Sequence, residues 1–267
     1  MKSFVVFLAL FGSVFSHVKI SHLLDKSCIS PRKQQERIVF GQNALVESSP
    51  WMAILRSSTV DFLCAGTLIH KNFVLTAAHC IIGKGQLIVR LGVYDRSCTV
   101  CKEVKEYNVV ESIPHPRFSV YQESNDIGLL RLDKDVKYNS YIRPMCLILD
   151  PRFNPRIIDR FQVFGWGITQ NSTLSQVVQT THMNRRTPPT SDCSFANTNS
   201  KICAGSELAY TCMGDSGGPL ISEVQYKNYL IFAQIGIVSN GPESCMTDAV
   251  YTDVNYFKWW IQSHVSR

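Results

Sequence analysis

Short apolar runs, each cut off by turn residues, fill the chain from residue 51 to residue 252, and no other property restricts its fold so tightly. The runs at 51–55, 64–69, 73–76, 86–91, 108–113, 128–132, 161–165, 230–238 and 249–252 have the length of strands and are rich in Val, Ile, Leu and Phe. Many short strands punctuated by turns predict an all-β barrel or sandwich. Only the end departs from this, because residues 254–265 carry Phe257, Trp260 and Ile261 at helical spacing and predict a closing amphipathic helix. With 267 residues and 45% hydrophobic composition the chain can bury one large core or two smaller ones. Pro144, Pro151 and Pro155 place a boundary between two halves near residues 144–155.

The first 16 residues begin Met1-Lys2, run through Phe4 to Phe11 as an apolar stretch, and reach Val14-Phe15-Ser16, the pattern of a secretory signal peptide. Residues 17–37 are polar and charged, with Cys28 and Pro31, and read as a pro-segment. At Arg37 the composition changes to Ile38-Val39-Phe40-Gly41. The formal charge of +6 is scattered, with no Lys/Arg run to follow a phosphate backbone, so no nucleic-acid partner is expected. No later run of about 20 apolar residues would serve as a membrane span, so a soluble, extracellular protein is expected.

Ten cysteines, an even number, suit an oxidising compartment. Cys98-Thr99-Val100-Cys101 admits half a zinc site, a redox pair or a local bridge; with no second such motif and no βαβ pattern around it, the bridge is favoured. Asn171-Ser172-Thr173 is a glycosylation acceptor if exposed.

Three local contexts carry chemistry. Cys212-Met213-Gly214-Asp215-Ser216-Gly217-Gly218-Pro219-Leu220 places a serine between glycines. Its hydroxyl is a poor nucleophile without a base beside it and donors for the developing oxyanion, and glycines permit the close backbone approach both require. Taken alone the same residues are those of an ordinary turn. Thr76-Ala77-Ala78-His79-Cys80 ends a strand-like run on an imidazole, although six other histidines show that a histidine here need not be catalytic. Asn125-Asp126-Ile127-Gly128-Leu129-Leu130 sets a carboxylate at the mouth of an apolar strand, where burial demands a partner such as an imidazole N–H.

The order His79, Asp126, Ser216 in these contexts, with Arg37-Ile38-Val39 before them, resembles the chymotrypsin/trypsin-type serine proteases over residues 38–267. The resemblance implies two antiparallel six-stranded β-barrels with the active site between them, closed by the C-terminal helix. It also implies Ser216 as nucleophile, His79 as general base and then acid, Asp126 as the group that orients the imidazole, and the Gly214 and Ser216 amides as the oxyanion hole. Cleavage after Arg37 would free an α-amine on Ile38 to pair with Asp215, so a zymogen is expected. The disulfides implied are Cys28–Cys146, which would keep the pro-segment attached, Cys64–Cys80, Cys98–Cys101, Cys193–Cys203 and Cys212–Cys245. A protein or peptide substrate, an upstream activating protease and a protein protease inhibitor are the expected partners. No cofactor or metal is expected, since Val93 stands where some relatives offer a calcium-ligating glutamate.

The specificity pocket departs from the family's trypsin-like members. Its floor is Tyr210 in place of an acid, and one wall reads Ser239-Asn240-Gly241 in place of Ser-Trp-Gly. Asp248 either points inward and restores a basic preference or is a solvated loop residue. These departures leave two functions open: a secreted serine endopeptidase, or a protease-like regulatory or binding protein with little turnover. The Cys28 tether and the Cys98/Cys101 loop resemble arthropod cascade proteases, although the single cysteine of the pro-segment cannot make a full clip module.

Overall fold

The structure, a computed structural model, describes residues 23–29, 42–98, 100–122, 124–169, 173–187, 189–190, 193, 198–206, 213–240 and 247–266. In chain order the strands are β1 (Gln42–Asn43), β2 (Met52–Ser57), β3 (Cys64–His70), β4 (Phe73–Thr76), β5 (Leu87–Leu91), β6 (Lys105–Pro114), β7 (Gly128–Leu132), β8 (Arg160–Gly165), β9 (Gln179–Arg185), β10 (Lys201–Gly205), β11 (Pro219–Tyr226), β12 (Tyr229–Asn240) and β13 (Ala249–Asp253). One helix, α1 (Lys258–Val265), follows.

All the strand ladders are antiparallel, and they close twice. Strands β2-β3-β4-β7-β6-β5 form one barrel; β8-β9-β10-β13-β12-β11 form the second, with β1 laid on β9. Closure removes the open edges that either six-stranded sheet would have if flat. The first barrel is filled by residues such as Leu55, Leu68, Leu75, Val89, Leu91 and Leu129, the second by Phe161, Met183, Ile202, Leu220, Ile235 and Tyr251. A third cluster, with Trp51, Ile54 and Ala65 from one barrel and Phe164, Trp166 and Ile221 from the other, joins them. Trp51 meets Phe164 edge to face, their centroids 5.9 Å apart.

Strand β9 was hidden in the sequence because only Thr180 and Met183 are buried among seven mostly polar residues. β11 was hidden because it begins inside the serine motif, which reads as a turn. The helix starts four residues later than its apolar spacing predicts. Val254 still pairs as a strand would, its N–H donating to Ile235 O at 3.0 Å, and Asp253 Oδ1 accepts from Tyr256 N in the turn that follows. Phe257, Ile261 and Val265 then pack on the first barrel, so the last helix of a chain that ends its second barrel is anchored on the other one.

Disulfides join Cys28 to Cys146, Cys64 to Cys80, Cys98 to Cys101 and Cys193 to Cys203. Cys212 and Cys245 lie outside the described residues. Around Cys28 the early segment is docked as well as tethered: Leu23 bridges to Ile148 and is buried, Leu24 N donates to Leu147 O at 3.1 Å, and the Tyr138 hydroxyl donates to Asp25 at 2.7 Å. Among the described residues no helix is long and apolar enough to cross a membrane.

Candidate active site

Strand β4 delivers His79. After Thr76 the chain extends through Ala77 and makes a 3-10 turn over Ala78–Cys80, whose last residue is fastened to β3 through the Cys64 disulfide. The Cys64–Cys80 bridge closes a separation of 16 residues, worth about 3 kcal/mol by chain entropy. The imidazole remains one-third exposed, whereas Asp126 is 5% exposed. His79 Nδ1 lies 2.7 Å from Asp126 Oδ2, and His79 N donates to Oδ1 at 3.0 Å. An ionised carboxylate only accepts, so Nδ1 carries a proton, and in the neutral imidazole this leaves Nε2 as the acceptor.

Asp126 has further partners that its sequence context did not disclose. The Ser239 hydroxyl donates to Oδ2 at 2.6 Å, and the Thr252 hydroxyl to the backbone carbonyl at 2.8 Å. Burial pushes the Asp126 carboxyl up. The hydrogen bond and charge of His79, the Ser239 hydroxyl and the His79 amide outweigh it, leaving the group below the usual aspartate range. The preceding residue, Asn125, has φ 55°, a left-handed conformation asparagine tolerates better than most, and its side chain is held by Arg117 O at 2.7 Å.

The serine loop is fixed mainly through its backbone. Gly218 N donates to Asp215 O at 2.8 Å, Gly217 N to Val238 O at 2.9 Å, and Ala65 N, from the first barrel, to Ser216 O at 2.9 Å. Gly217 (φ 78°) has no room for a side chain: a Cβ there would run into Ala65 O and Thr76 Oγ1 and stand 3.3 Å from Ala77 N. The loop is thus pressed against the segment leading to His79, while Val238 precedes the Ser239 that holds Asp126. Among the described residues, neither the Gly214 nor the Ser216 amide donates to a protein acceptor, and no hydrogen bond of 3.5 Å or less joins Ser216 Oγ to His79. His79 Nε2 has Cys80 Sγ 3.5 Å away. Cys64, His79 and Cys80 gather within 4.8 Å, but both sulfurs are spent in the disulfide and offer no thiolate to a metal.

Asp215 turns away from this loop and accepts from Gly167 N at 2.9 Å. Asp248 is buried, at 8% exposure, which excludes the solvated reading; its Oδ1 takes the Arg186 Nε hydrogen bond at 2.9 Å and its Oδ2 the Thr190 hydroxyl at 3.0 Å. Asn240 is exposed at the end of β12. Tyr210, Gly241, Arg37, Ile38 and Asn171 fall outside the described residues.

The family described as Trypsin matches residues 38–261. The chain belongs to the trypsin family. It is a serine-type endopeptidase by that membership. It is similar to CLIP domain-containing serine protease B15 of Anopheles gambiae, 34% identical over 259 residues covering 85% of this chain and 69% of that protein. Melanization protease 1 of Drosophila melanogaster is 34% identical over 265 residues, 86% and 66% of the respective chains. Phenoloxidase-activating factor 1 of Holotrichia diomphalia is 30% identical over 275 residues, 91% and 73%.

Proposed function

We propose that this trypsin-family chain is a secreted endopeptidase, made as an inactive precursor and activated by cleavage after Arg37, that cuts peptide bonds through an acyl-enzyme on Ser216. The observation that carries the reading is the buried Asp126 paired with His79 Nδ1 beside a serine loop with two amides that, among the described residues, have no protein acceptor. In this mechanism Ser216 Oγ attacks the scissile carbonyl as His79 Nε2 takes its proton. Asp126 stabilises the imidazolium, and the Gly214 and Ser216 N–H groups receive the oxyanion. Collapse expels the amine, which leaves with the proton from Nε2, and a water molecule repeats the sequence to free the acid and the serine. A substrate with its scissile carbonyl in place would draw Oγ and Nε2 together, because such contacts are commonly longer before substrate binds.

The free α-amine of Ile38 pairs with Asp215 in the activated form, and this pairing orders the neighbouring oxyanion amides. Secretion follows from the apolar run after Lys2 and the even cysteine count; Asn171 is then available as a glycosylation site. The pocket bounded by Tyr210, Ser239, Asn240 and Gly241 favours a neutral side chain, since Asp248 is already neutralised by Arg186. The relatives' names, melanization protease and phenoloxidase-activating factor, support a place in a proteolytic cascade with a protein substrate and an upstream activating protease.

Labelling with a fluorophosphonate tests the reading. Protein cut after Arg37 takes up the probe at Ser216, and Arg37→Gln takes up almost none. Equal labelling of the uncut protein overturns the zymogen. A cleaved protein that never labels overturns catalysis in favour of a regulatory or binding role.

A further inference from the structure

Resting on the catalytic reading above, we infer that Phe62 is a positioning residue for the oxyanion amide of Gly214 and that Arg96 holds Phe62 in place. Gly214 has φ 99° and no side chain, so its peptide orientation must be set from outside. One end of that peptide unit is fixed: Met213 O accepts from Ile168 N at 3.0 Å. In a planar trans peptide the N–H points opposite to the C=O, so this bond aims the Gly214 N–H as long as the glycine does not slide. Three atoms stand nearest to where a side chain would begin. A Cβ on Gly214 would stand 2.7 Å from Leu174 Cδ2, 3.0 Å from Gly167 Cα and 3.1 Å from Phe62 Cε1. Leu174 and Gly167 belong to the same barrel side as Ile168; Phe62 alone reaches across from the connection between β2 and β3.

The Phe62 ring is itself clamped. Trp166 meets it edge-on, with centroids 6.2 Å apart, and the Arg96 guanidinium lies 4.6 Å from its centroid. The guanidinium is held by Nε donating to Ser175 O at 3.0 Å. Its backbone is laced to the same segment: Arg96 N donates to Gln176 O at 2.7 Å, Val178 N to Tyr94 O at 3.0 Å, and Asp95 bridges to Val177. Residues 94–96 of the first barrel and 173–178 of the second therefore hold the ring that abuts Gly214. Guanidinium, ring and glycine follow one another in contact, and the ring edge limits how far Gly214 can slide.

The test compares activated wild type, Phe62→Ala, Phe62→Tyr and Arg96→Gln on a peptide ester. Losing one oxyanion donor outright costs about 10² to 10³ in rate, so loosening one lowers kcat by about tenfold in Phe62→Ala, with KM little changed. Phe62→Tyr, which keeps the ring, restores the rate. Arg96→Gln, a change at a half-buried residue outside both barrel cores, lowers kcat by about threefold, a share of the same donor loss. The carbonyl stretch of the acyl-enzyme rises in frequency in both slowed variants, and affinity for a peptide boronate falls by the same factor as kcat/KM. Phe62→Ala or Arg96→Gln with wild-type kcat and wild-type acyl carbonyl frequency overturns the inference, whatever happens to thermal stability. If Phe62→Ala fails to fold, Arg96→Gln decides alone. Activated wild type with no turnover overturns the catalytic reading and this inference with it.

Discussion

On one side of the cleft, Asp126 is held by side chains, an imidazole and a hydroxyl, with one backbone amide; on the other, the Ser216 loop is held by backbone hydrogen bonds and by glycines where no side chain fits. The first construction stakes its function on which atoms carry protons, and its backbone can absorb an isosteric change. The second is fastened mainly through its main chain, with the Asp215 carboxylate taking the Gly167 N–H at 2.9 Å, and depends above all on backbone geometry. A substitution should therefore separate chemistry from fold on the Asp126 side and damage both together on the Ser216 side.

The largest effect falls on the chemical side. Asp126→Asn keeps the size and most contacts of the side chain but no longer demands a proton on His79 Nδ1. Turnover of a peptide ester by the activated protein should fall about 10⁴-fold, with thermal stability changed far less than the rate. Gly217→Ala probes the other side. It combines a left-handed φ of 78° with a Cβ forced into Ala65 O and Thr76 Oγ1. Denaturant unfolding should show a loss of about 3 kcal/mol, with rate and stability falling together. If Gly217→Ala lost rate alone, the contrast between the two constructions would fail.

Ser239→Ala sharpens the comparison further. It removes one hydrogen bond to a buried carboxylate, worth about 2 kcal/mol. The sign with pH is fixed by the direction of the Asp126 shift. Because its folded pKa is depressed, its contribution to stability is fully present above the unfolded aspartate value of about 3.9 and is lost as pH falls through the folded value. Without the Ser239 hydroxyl the folded value moves up, so acid unfolding of Ser239→Ala should begin at a higher pH than in wild type. Identical acid midpoints would mean that Ser239 does not stabilise the ionised Asp126.

The contexts around His79, Asp126 and Ser216 were legible because each chemical demand leaves a local mark: an imidazole ending a strand, an acid opening one, a serine among glycines. The residues that support them were not. Ser239 read as a pocket wall, yet its hydroxyl reaches an aspartate 113 positions away. Thr252 and Phe62 carry no sign of their long-range contacts, because a hydroxyl or a ring in a strand or loop looks the same whether it faces solvent or another barrel. Short apolar runs marked strands such as β5 and failed for β9, where Thr180 and Met183 alone are buried among polar residues. The two-barrel architecture itself came from resemblance, since strand spacing admits a sandwich equally well.

Asp248 gives the smallest effect and the finest comparison, since it is a second buried aspartate with a nitrogen partner. Asp126 faces an imidazole, which takes and returns a proton in the proposed mechanism; Asp248 faces the Arg186 guanidinium, which stays charged, so its pair holds structure and moves no proton. The Arg186 side chain is 30% exposed, so solvent screens part of the pair. Asp248→Asn should therefore cost only about 1 kcal/mol, near the range of surface pairs and well short of a fully buried one. It should leave the ratio of cleavage after Phe or Leu to cleavage after Arg unchanged in a peptide-substrate panel. A selective loss of Arg cleavage would instead put this carboxylate at the substrate and make the pairing with Arg186 a resting contact that a basic side chain displaces.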